Sequence, residues 1–465
     1  MEKKPLSLNK VAIFNMLGPV VLNGLAFFTM PIFTRLLGAE GYGQYPNYAS
    51  FLSLMAAVVG FQAAGAIAPA SVRFTQEERD RVFSNIMTAA LFFAAIIGVL
   101  MGVFLEPISR FTELPSHLVV ILFLHATGQF IVNFSTAKFS YDKQSTRTFF
   151  VSVTLSVVSI GLSLLFIYAL SFMPRYASYV YGHAIPCLVL GMLFAIRFLI
   201  KGKSFFDKRY WYFALALCLP LIFHQLSNTL LHQCDKIMLK KMTDEATVGV
   251  YGFAVTFANI INIIWAALNT TFVPFYHDDV KVDNFNSLHK RTRNYLFLFS
   301  VLTVGFVYAM PEVVKLFSSS DFWGSIYIIP LLVFGLYFVF LYSFPVNFEF
   351  FHCKTKTIAI GTCLAAAVNI LLNFMLIPLW GMVGAAVATA ASYVLLWIFH
   401  MFFARFAIKQ QYHFAFREFY WYLAAVAVAI AMFYAIADLW YVRWPLFACL
   451  GVVLLLQIKK QKSIF

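Results

Sequence analysis

Apolar segments of about twenty residues follow one another along the sequence, and this succession restricts the fold more than any other feature. A helix of about twenty apolar residues is long enough to cross the hydrocarbon core of a bilayer. The segments do not alternate polar and apolar residues as the strands of a membrane barrel do. The sequence therefore predicts an all-α polytopic membrane protein with about 14 transmembrane helices. They are placed at 11–34, 45–69, 82–105, 117–139, 148–171, 176–199, 211–234, 247–273, 294–317, 325–349, 358–378, 380–404, 420–438 and 442–458.

Basic residues between the predicted spans indicate the orientation of the chain. With a cytoplasmic N-terminus, 26 of the 34 Lys and Arg residues fall on the cytoplasmic side and 8 on the other side. Because Lys and Arg accumulate in the cytoplasmic loops of membrane proteins, both termini are predicted to be cytoplasmic. The net charge of +14 is then explained by loops beside anionic lipid, and no nucleic-acid partner is expected.

A short motif at the joint between the first two predicted spans recurs, in weaker form, 206 residues later. The aligned pairs are Arg35 with Lys241, Gly43 with Gly249, Tyr45 with Tyr251, and Phe51 with Phe257. Many transporters are built from repeated halves with the substrate between them. The repeat predicts an N-terminal lobe in residues 1–205 and a C-terminal lobe in 206–405, with six helices each. Two additional helices follow in 406–465.

The sequence shows no convincing catalytic motif. It contains no H-E-x-x-H or P-loop pattern, and its six Cys are interpreted as small core residues. Asp278-Asp279 is the nearest approach to the acidic pair with which a glycosyltransferase holds a metal. We interpret it as part of a solvated loop.

Polar side chains inside the predicted spans are the first group of candidate functional residues. Asn259 and Asn262 are three residues apart and share a helix face, and Asn269 follows on the same span. Such stripes face other helices or a water-filled cavity, because lipid offers them no partner. Any one of them is explained by interhelical hydrogen bonds, but stripes on several helices favour a hydrated cavity. His125 and His224 are candidate proton relays for coupling or gating, and the alternative is a hydrogen-bonded core histidine.

Charged residues at or within the ends of the spans form the second group: Arg35, Arg73, Lys138, Asp235, Lys236 and Glu349. An ionised group at bilayer depth costs ~2.5–3.5 kcal/mol on insertion scales, so each is a functional candidate. Arg35, Arg73 and Lys236 are assigned to an anionic ligand. Asp235 beside Lys236 is either a gate element or a simple ion pair. Glu349 is either a protonatable coupling site or a snorkelling end residue.

Four segments resemble the bacterial polysaccharide repeat-unit flippases, the Wzx-type or O-antigen flippases. They are PIFTRLLGAEGYGQY, HQCDKIMLKKMTDEATVGVYGFA, IIWAALNTTFVPFYHDD and NILLNFMLIPLWGMVGAAVATAASYV. The resemblance extends over about residues 8 to 405. The superfamily also contains the multidrug-and-toxin extruders (MATE) and the lipid II flippase. The resemblance implies two six-helix lobes, commonly with two extra helices, around a central cavity that opens alternately to each side.

The resemblance also implies the activity: a transporter, not an enzyme, in the bacterial cytoplasmic (inner) membrane. Its cargo would be a polyprenyl-pyrophosphate-linked oligosaccharide, such as an O-antigen, capsule or exopolysaccharide repeat unit. By position, Arg35, Arg73, Asp235 and Lys236 fit charged sites of the family. Lys236 stands where Arg is usual, which removes the bidentate fork. Lys138, Asn259, Asn262 and Asn269 complete the candidate substrate-binding set. Glu349, His125 and His224 form the candidate coupling set.

The resemblance implies no cofactor, with H+ or Na+ as the candidate coupling ion. The expected partners are the lipid-linked cargo, the bilayer and other membrane proteins of polysaccharide assembly. Three alternatives stay open: a multidrug or cation antiporter, a lipid II flippase, and a membrane polysaccharide polymerase. The first predicted span has no Asp or Glu, which counts against an ion-coupled drug exporter. The short loops count against a polymerase.

Overall fold

The computed structural model describes residues 8–142, 144–170, 172–281, 284–352, 355–407 and 416–461, and within these ranges the chain is helical without a β-strand. The predicted all-α class is therefore confirmed. The α-helices are α1 (Leu8–Val59), α2 (Ile67–Arg73), α3 (Arg79–Val103), α4 (Leu105–Thr112), α5 (Ser116–Tyr141), α6 (Ser145–Ala169), α7 (Arg175–Gly202), α8 (Lys208–Met242), α9 (Glu245–Lys281), α10 (Phe285–Phe317), α11 (Ile329–Phe351), α12 (Thr355–Phe402), α13 (Phe416–Ile436) and α14 (Trp440–Gln461).

Ten helices of the described part are long and apolar enough to cross a membrane, or eleven when the bent pair Thr29–Val59 and Ala63–Ser71 counts as one span. The protein is therefore a multi-pass membrane protein. This number is lower than the predicted number of about 14 spans. One reason is that α12 contains two predicted spans in one continuous helix, and the other is that some side chains of α1 and α8 lie outside the described residues.

The joint between the first two predicted spans is a break inside α1. Gly38 has φ 67° and ψ 178°, a conformation that is open essentially only to glycine. Gly381 breaks α12 in a similar way, with φ 54° and ψ −129°. The predicted span 45–69 is not one continuous helix, because α1 ends at Val59 and α2 begins at Ile67. The Gln62 side chain then donates a 3.0 Å hydrogen bond to the carbonyl oxygen of Ala57 and so satisfies an open acceptor at the end of the helix.

The second copy of the motif is the turn between α8 and α9. Asp244 lies 206 residues after Gly38 and precedes the first residue of α9. Its carboxylate accepts a 2.9 Å bond from the Thr247 backbone N–H and a 2.8 Å bond from the Thr247 hydroxyl. These hydrogen bonds, the backbone one first, lower the pKa of Asp244 below its ordinary value.

Replacing Asp244 with Ala is expected to reduce the free energy of unfolding by about 1 kcal/mol at pH 7, because an N-cap is lost. The folded-state pKa is depressed, so the ionised cap contributes fully above the unfolded pKa of about 3.9 and is lost as the pH falls through the folded pKa. Thermal unfolding in detergent at neutral and acidic pH measures both effects. Asp244→Asn keeps a cap that does not titrate and is the control. An Ala variant as stable as wild type at pH 7 would contradict the assignment.

Contacts divide the chain into two compact units, Met1–Ile237 and Met238–Phe465. The predicted division into 1–205, 206–405 and 406–465 stays a prediction. In unit 1, α5 is buried along most of its length and touches α7 backbone to backbone. A Cβ atom added to Gly128 would lie 2.6 Å from the Cα of Leu188, and one added to Gly191 would lie 2.8 Å from the Gly128 carbonyl oxygen. Small residues permit such close packing of membrane helices.

In unit 2, the two C-terminal helices are joined to α10. The guanidinium of Arg443 on α14 binds both carboxylate oxygens of Glu312, at 2.5 and 2.9 Å, and donates a 2.7 Å bond to the Tyr308 carbonyl oxygen. The Tyr308 hydroxyl in turn donates to the Ala429 carbonyl oxygen of α13 at 3.1 Å. The predicted additional helices are thus an integral part of unit 2.

Candidate functional site

The predicted site residues divide between the two units by chemical type. The cations Arg35, Arg73, Lys138 and Lys236, with Asp235, belong to unit 1, whereas Asn259, Asn262, Asn269 and Glu349 belong to unit 2. Within each unit they form several small clusters. A candidate anion-binding function therefore rests on unit 1, and candidate recognition of neutral hydroxyl groups rests on unit 2.

Lys236 on α8 is bonded to a neutral amide. Its ammonium group donates to the Oε1 atom of Gln233 at 3.0 Å, and the same oxygen accepts a 3.1 Å bond from the Ser50 hydroxyl of α1. The neighbouring Asp235 is buried, and its Oδ1 accepts from the Lys236 backbone N–H at 2.8 Å. The choice between an ion pair and a gate element for Asp235 beside Lys236 stays a prediction. An amide oxygen carries no formal charge, so Gln233 does not neutralise the ammonium group.

Arg73 lies in the last turn of α2, where its side chain is exposed. The guanidinium carbon is 5.5 Å from the centre of the Phe213 ring. Arg73 and Arg209 both line an open cavity of about 320 Å³. Arg209 also bonds the carboxylate of Glu78 at 3.5 Å. Arg35 is exposed on α1, three residues before the break at Gly38.

Lys138 is at the end of α5 and binds the carboxylate of Asp142 at 2.5 Å. Its ammonium nitrogen is also 5.1 Å from the centre of the Phe83 ring. It lines a small pocket together with Arg147 and Arg197. The predicted substrate-binding residue Lys138 is therefore already paired with a carboxylate.

The predicted amide stripe on α9 is confirmed as a shared helix face. The Nδ2 group of Asn262 donates to the Oδ1 atom of Asn259 at 3.1 Å, and Asn259 is exposed. This bond uses one donor and one acceptor and leaves the other amide groups for a ligand. The buried Oδ1 atom of Asn269 has no hydrogen-bond partner among the described residues, and such an atom calls for water or a ligand.

Glu349 is fully buried and paired with His400, which the sequence reasoning missed. The Nδ1 atom of His400 lies 2.8 Å from the Oε1 atom of Glu349, and neither side chain is accessible to solvent. The snorkelling interpretation of Glu349 is therefore wrong, because the chain packs the carboxylate against the end of α12 instead of directing it outward. The sequence signal for this pair was the presence of a histidine, His400, inside the apolar segment 380–404.

Two of the remaining histidine and acidic candidates, His125 and Asp279, have structural partners. His125 is buried, and its Nδ1 atom lies 3.2 Å from the Tyr48 hydroxyl oxygen. The side chain of His224 lies outside the described residues, as does Asp278. Asp279 lies in the last turn of α9, where it is buried and 3.1 Å from the Arg291 guanidinium, so the solvated-loop interpretation is wrong for Asp279. Among the described residues, no group of three or more His, Cys, Asp or Glu is arranged to hold a metal ion.

Comparison with known proteins shows which family the chain belongs to. A sequence profile described as "Polysaccharide biosynthesis protein" matches residues 8–277, more than half of the chain. The chain belongs to the polysaccharide biosynthesis protein family. Similar proteins include "Lsg locus putative protein 1" of Haemophilus influenzae, which is 23% identical over 398 residues, 81% of this chain and 94% of that protein. An uncharacterized membrane protein of the same organism is 22% identical over 371 residues, 78% of this chain and 89% of that protein.

The fold of this family member is shared with transporters. "Lipid II flippase MurJ, inward closed conformation" matches with a TM-score of 0.73 and 18% identity, covering 96% of this chain and 100% of that chain. An inward-facing MATE family transporter of the MOP superfamily matches with a TM-score of 0.62 and 17% identity, covering 83% and 94% of the two chains. The fold that the four sequence segments imply, one shared with the lipid II flippase and the MATE extruders, is therefore confirmed.

Proposed function

We propose that the protein is a flippase for a polyprenyl-pyrophosphate-linked oligosaccharide, an O-antigen, capsule or exopolysaccharide repeat unit. It moves this cargo from the inner to the outer leaflet of the bacterial cytoplasmic membrane by alternating access, with both termini in the cytoplasm. The observation that carries the proposal is the fold of a lipid II flippase in a chain of the polysaccharide biosynthesis protein family. The fold supports a lipid-linked cargo, and the family supports a saccharide headgroup.

The headgroup explains why a protein is needed. Each hydroxyl moved from water into hydrocarbon without a partner costs ~4–8 kcal/mol, and a phosphate charge costs far more. A polar path removes this barrier while the polyprenyl tail stays in lipid. Outward movement of an anion also follows an inside-negative potential, which contributes about 2.3 kcal/mol per charge per 100 mV.

The cationic side chains suit the pyrophosphate of the cargo, and the amide side chains suit its sugars. The ammonium group of Lys236 donates to Gln233, whose oxygen also accepts from Ser50, and we assign Lys236 to the pyrophosphate. Exposed Arg35 and Arg73 are assigned to capture of the same group. The Asn259–Asn262 pair has the free donors and acceptors that sugar hydroxyls need. Asn269 is assigned to the same task.

Lys236→Ala is expected to reduce export of the lipid-linked oligosaccharide by about tenfold or more, because a charge-assisted contact contributes about 1.5–3 kcal/mol. The measurement is the leaflet distribution of lipid-linked oligosaccharide in intact cells, with Arg35→Ala and Arg73→Ala assayed in parallel. Lys241→Ala is the matched control, since it removes an exposed lysine five residues along the same helix. Normal export at normal protein level in all three variants would remove the site assignment. Unchanged sidedness on deleting the whole chain would remove the proposed function.

A lipid II flippase is the second candidate, because the solved structure of such a flippase covers 96% of this chain. Rescue of cells depleted of their own lipid II flippase would favour it over the repeat-unit flippase. Coupling to H+ is proposed to use the buried Glu349–His400 pair, which can share a proton.

A further inference from the structure

The strongest unassigned feature is the pocket at the helix ends of unit 1 that Lys138 lines. It lies where α5 and α7 end and where α3 and α6 begin, and its volume is about 120 Å³. This volume is below the ~300–1,000 Å³ of sites for drug-sized ligands, so the pocket suits a single phosphate group better than a sugar chain.

Among the described residues, four cations and two carboxylates line the pocket, a difference of two positive charges: Lys138, Arg147, Arg197 and Lys201 against Asp80 and Asp142. Each carboxylate is already bound by a lysine. Lys138 binds Asp142 at 2.5 Å, and Lys201 binds Asp80 at 2.9 Å. The excess charge therefore belongs to the two arginines.

Neither arginine has a carboxylate partner among the described residues. The Arg147 guanidinium donates to the neutral Oε1 atom of Gln144 at 2.7 Å, and Arg197 is exposed at the pocket. The two arginines come from different helices, the first turn of α6 and the last turns of α7. A planar guanidinium fork binds a phosphate group through two parallel hydrogen bonds, so the pair is suited to hold one phosphate between the helices.

The surroundings of the pocket favour a phosphate that is attached to a lipid. Phe139 and Phe194, with ring centres 5.8 Å apart, form part of its wall. Beside it, α7 presents Leu193, Ile196 and Ile200 as exposed large apolar side chains, which in a membrane protein face acyl chains. The Lys and Arg distribution predicts that these helix ends are cytoplasmic, where anionic lipids are abundant.

We propose that this pocket binds the phosphate of an anionic phospholipid of the surrounding membrane, with Arg147 and Arg197 as its ligands. Of the residues that line the pocket, Lys138 is also in the candidate substrate-binding set, but it is not one of the proposed ligands. The occupant of the pocket is a resident lipid that joins the ends of α6 and α7, and it does not depend on which cargo the protein moves.

The test is binding of phosphatidylglycerol to the full chain in detergent, measured by native mass spectrometry. Phosphatidylcholine and inorganic phosphate serve as comparison probes. The variant Arg147→Gln/Arg197→Gln is expected to bind phosphatidylglycerol at least about tenfold more weakly than wild type. Arg110→Gln is the matched control, because Arg110 is an exposed arginine of α4 outside the pocket. It is expected to leave binding unchanged.

Three results would overturn the proposal. Equal phosphatidylglycerol affinity in wild type and the double variant would show that the arginines are not ligands. Equal affinity for phosphatidylcholine would show that the anionic charge is not recognised. Inorganic phosphate that displaces the lipid at equal concentration would assign the pocket to the free ion. Thermal unfolding of the double variant without lipid, if unchanged, separates lost binding from misfolding.

Discussion

Glu349→Met is expected to lower the free energy of unfolding by about 3–5 kcal/mol, because it leaves His400 buried without its partner. The two side chains have no solvent exposure and are joined by a 2.8 Å contact, so water cannot replace the lost group. His400→Phe is expected to have a similar cost, since it leaves the carboxylate alone in the core. These are the largest single-residue effects that we expect in unit 2.

The double variant Glu349→Met/His400→Phe is expected to recover most of this loss, because replacing both members of a buried polar pair with apolar groups of similar size is often neutral or stabilising. Thermal unfolding of the four proteins gives the interaction energy as a double-mutant cycle. If the two single effects simply added, the pair would not be a structural unit.

The same cycle separates stability from transport. A double variant that folds as well as wild type but no longer exports the lipid-linked oligosaccharide would support the pair as the proton-coupling site. Normal export by the stable double variant would assign the pair to structure alone. Glu349→Asp is the conservative control, because it keeps the carboxyl group and shortens its reach.

Arg443→Leu has the second largest expected effect, a loss of about 3 kcal/mol of unfolding free energy. This value is at the lower end of the ~3–5 kcal/mol expected for a broken buried ion pair. The Glu312 side chain is 35% exposed, so water can hydrate its carboxylate after Arg443 is removed. Three hydrogen bonds from the Arg443 guanidinium to α10 disappear, two of them to the Glu312 carboxylate. The loss is measured by thermal unfolding in detergent.

Arg443→Lys tests the geometry of this contact. Lysine keeps the positive charge but offers no planar fork, so we expect an intermediate stability. Limited proteolysis after α12 locates the effect, because weakened contact with α10 should release the two C-terminal helices first. A Leu variant with wild-type stability and an unchanged cleavage pattern would show that α13 and α14 are held mainly by apolar contacts.

Much of the fold was predictable from the sequence, because apolar runs of membrane length leave few alternatives to helices. The joint at Gly38 and its counterpart at Asp244 were also visible as a repeat. The points at which the apolar runs divide into separate helices were not predictable from the sequence. A break at one residue, such as Gly381, is a matter of local backbone angles, and the apolar pattern continues across it.

The sequence predicted which residues are candidates for the site, but it predicted few of the partners that they contact. The Asn259–Asn262 contact follows from helix geometry, since three residues separate them. Glu349 and His400 are 51 residues apart, and Arg443 and Glu312 are 131 residues apart, so no local spacing predicts these pairs. Their sequence signal is only that each is an ionisable residue in an apolar segment. That signal indicates the need for a partner without identifying it.

The glycine contact between α5 and α7 determines where unit 1 can bend. Rotating or sliding either helix would drive the backbone at Gly128 into that at Leu188, and close-packed interiors yield little to such displacement. A helix whose i-to-i+4 hydrogen bonds are intact also resists bending along its length. In this unit the helical bonding is interrupted at Gly38, in the turn that follows Val59 and at Pro186 inside α7, and bending is expected at these points. The part of α1 before Gly38 packs on α7, since the ring centre of Phe33 lies 4.4 Å from that of Tyr179, so a change of the backbone angles at Gly38 would shift one part of α1 against the other while this contact holds.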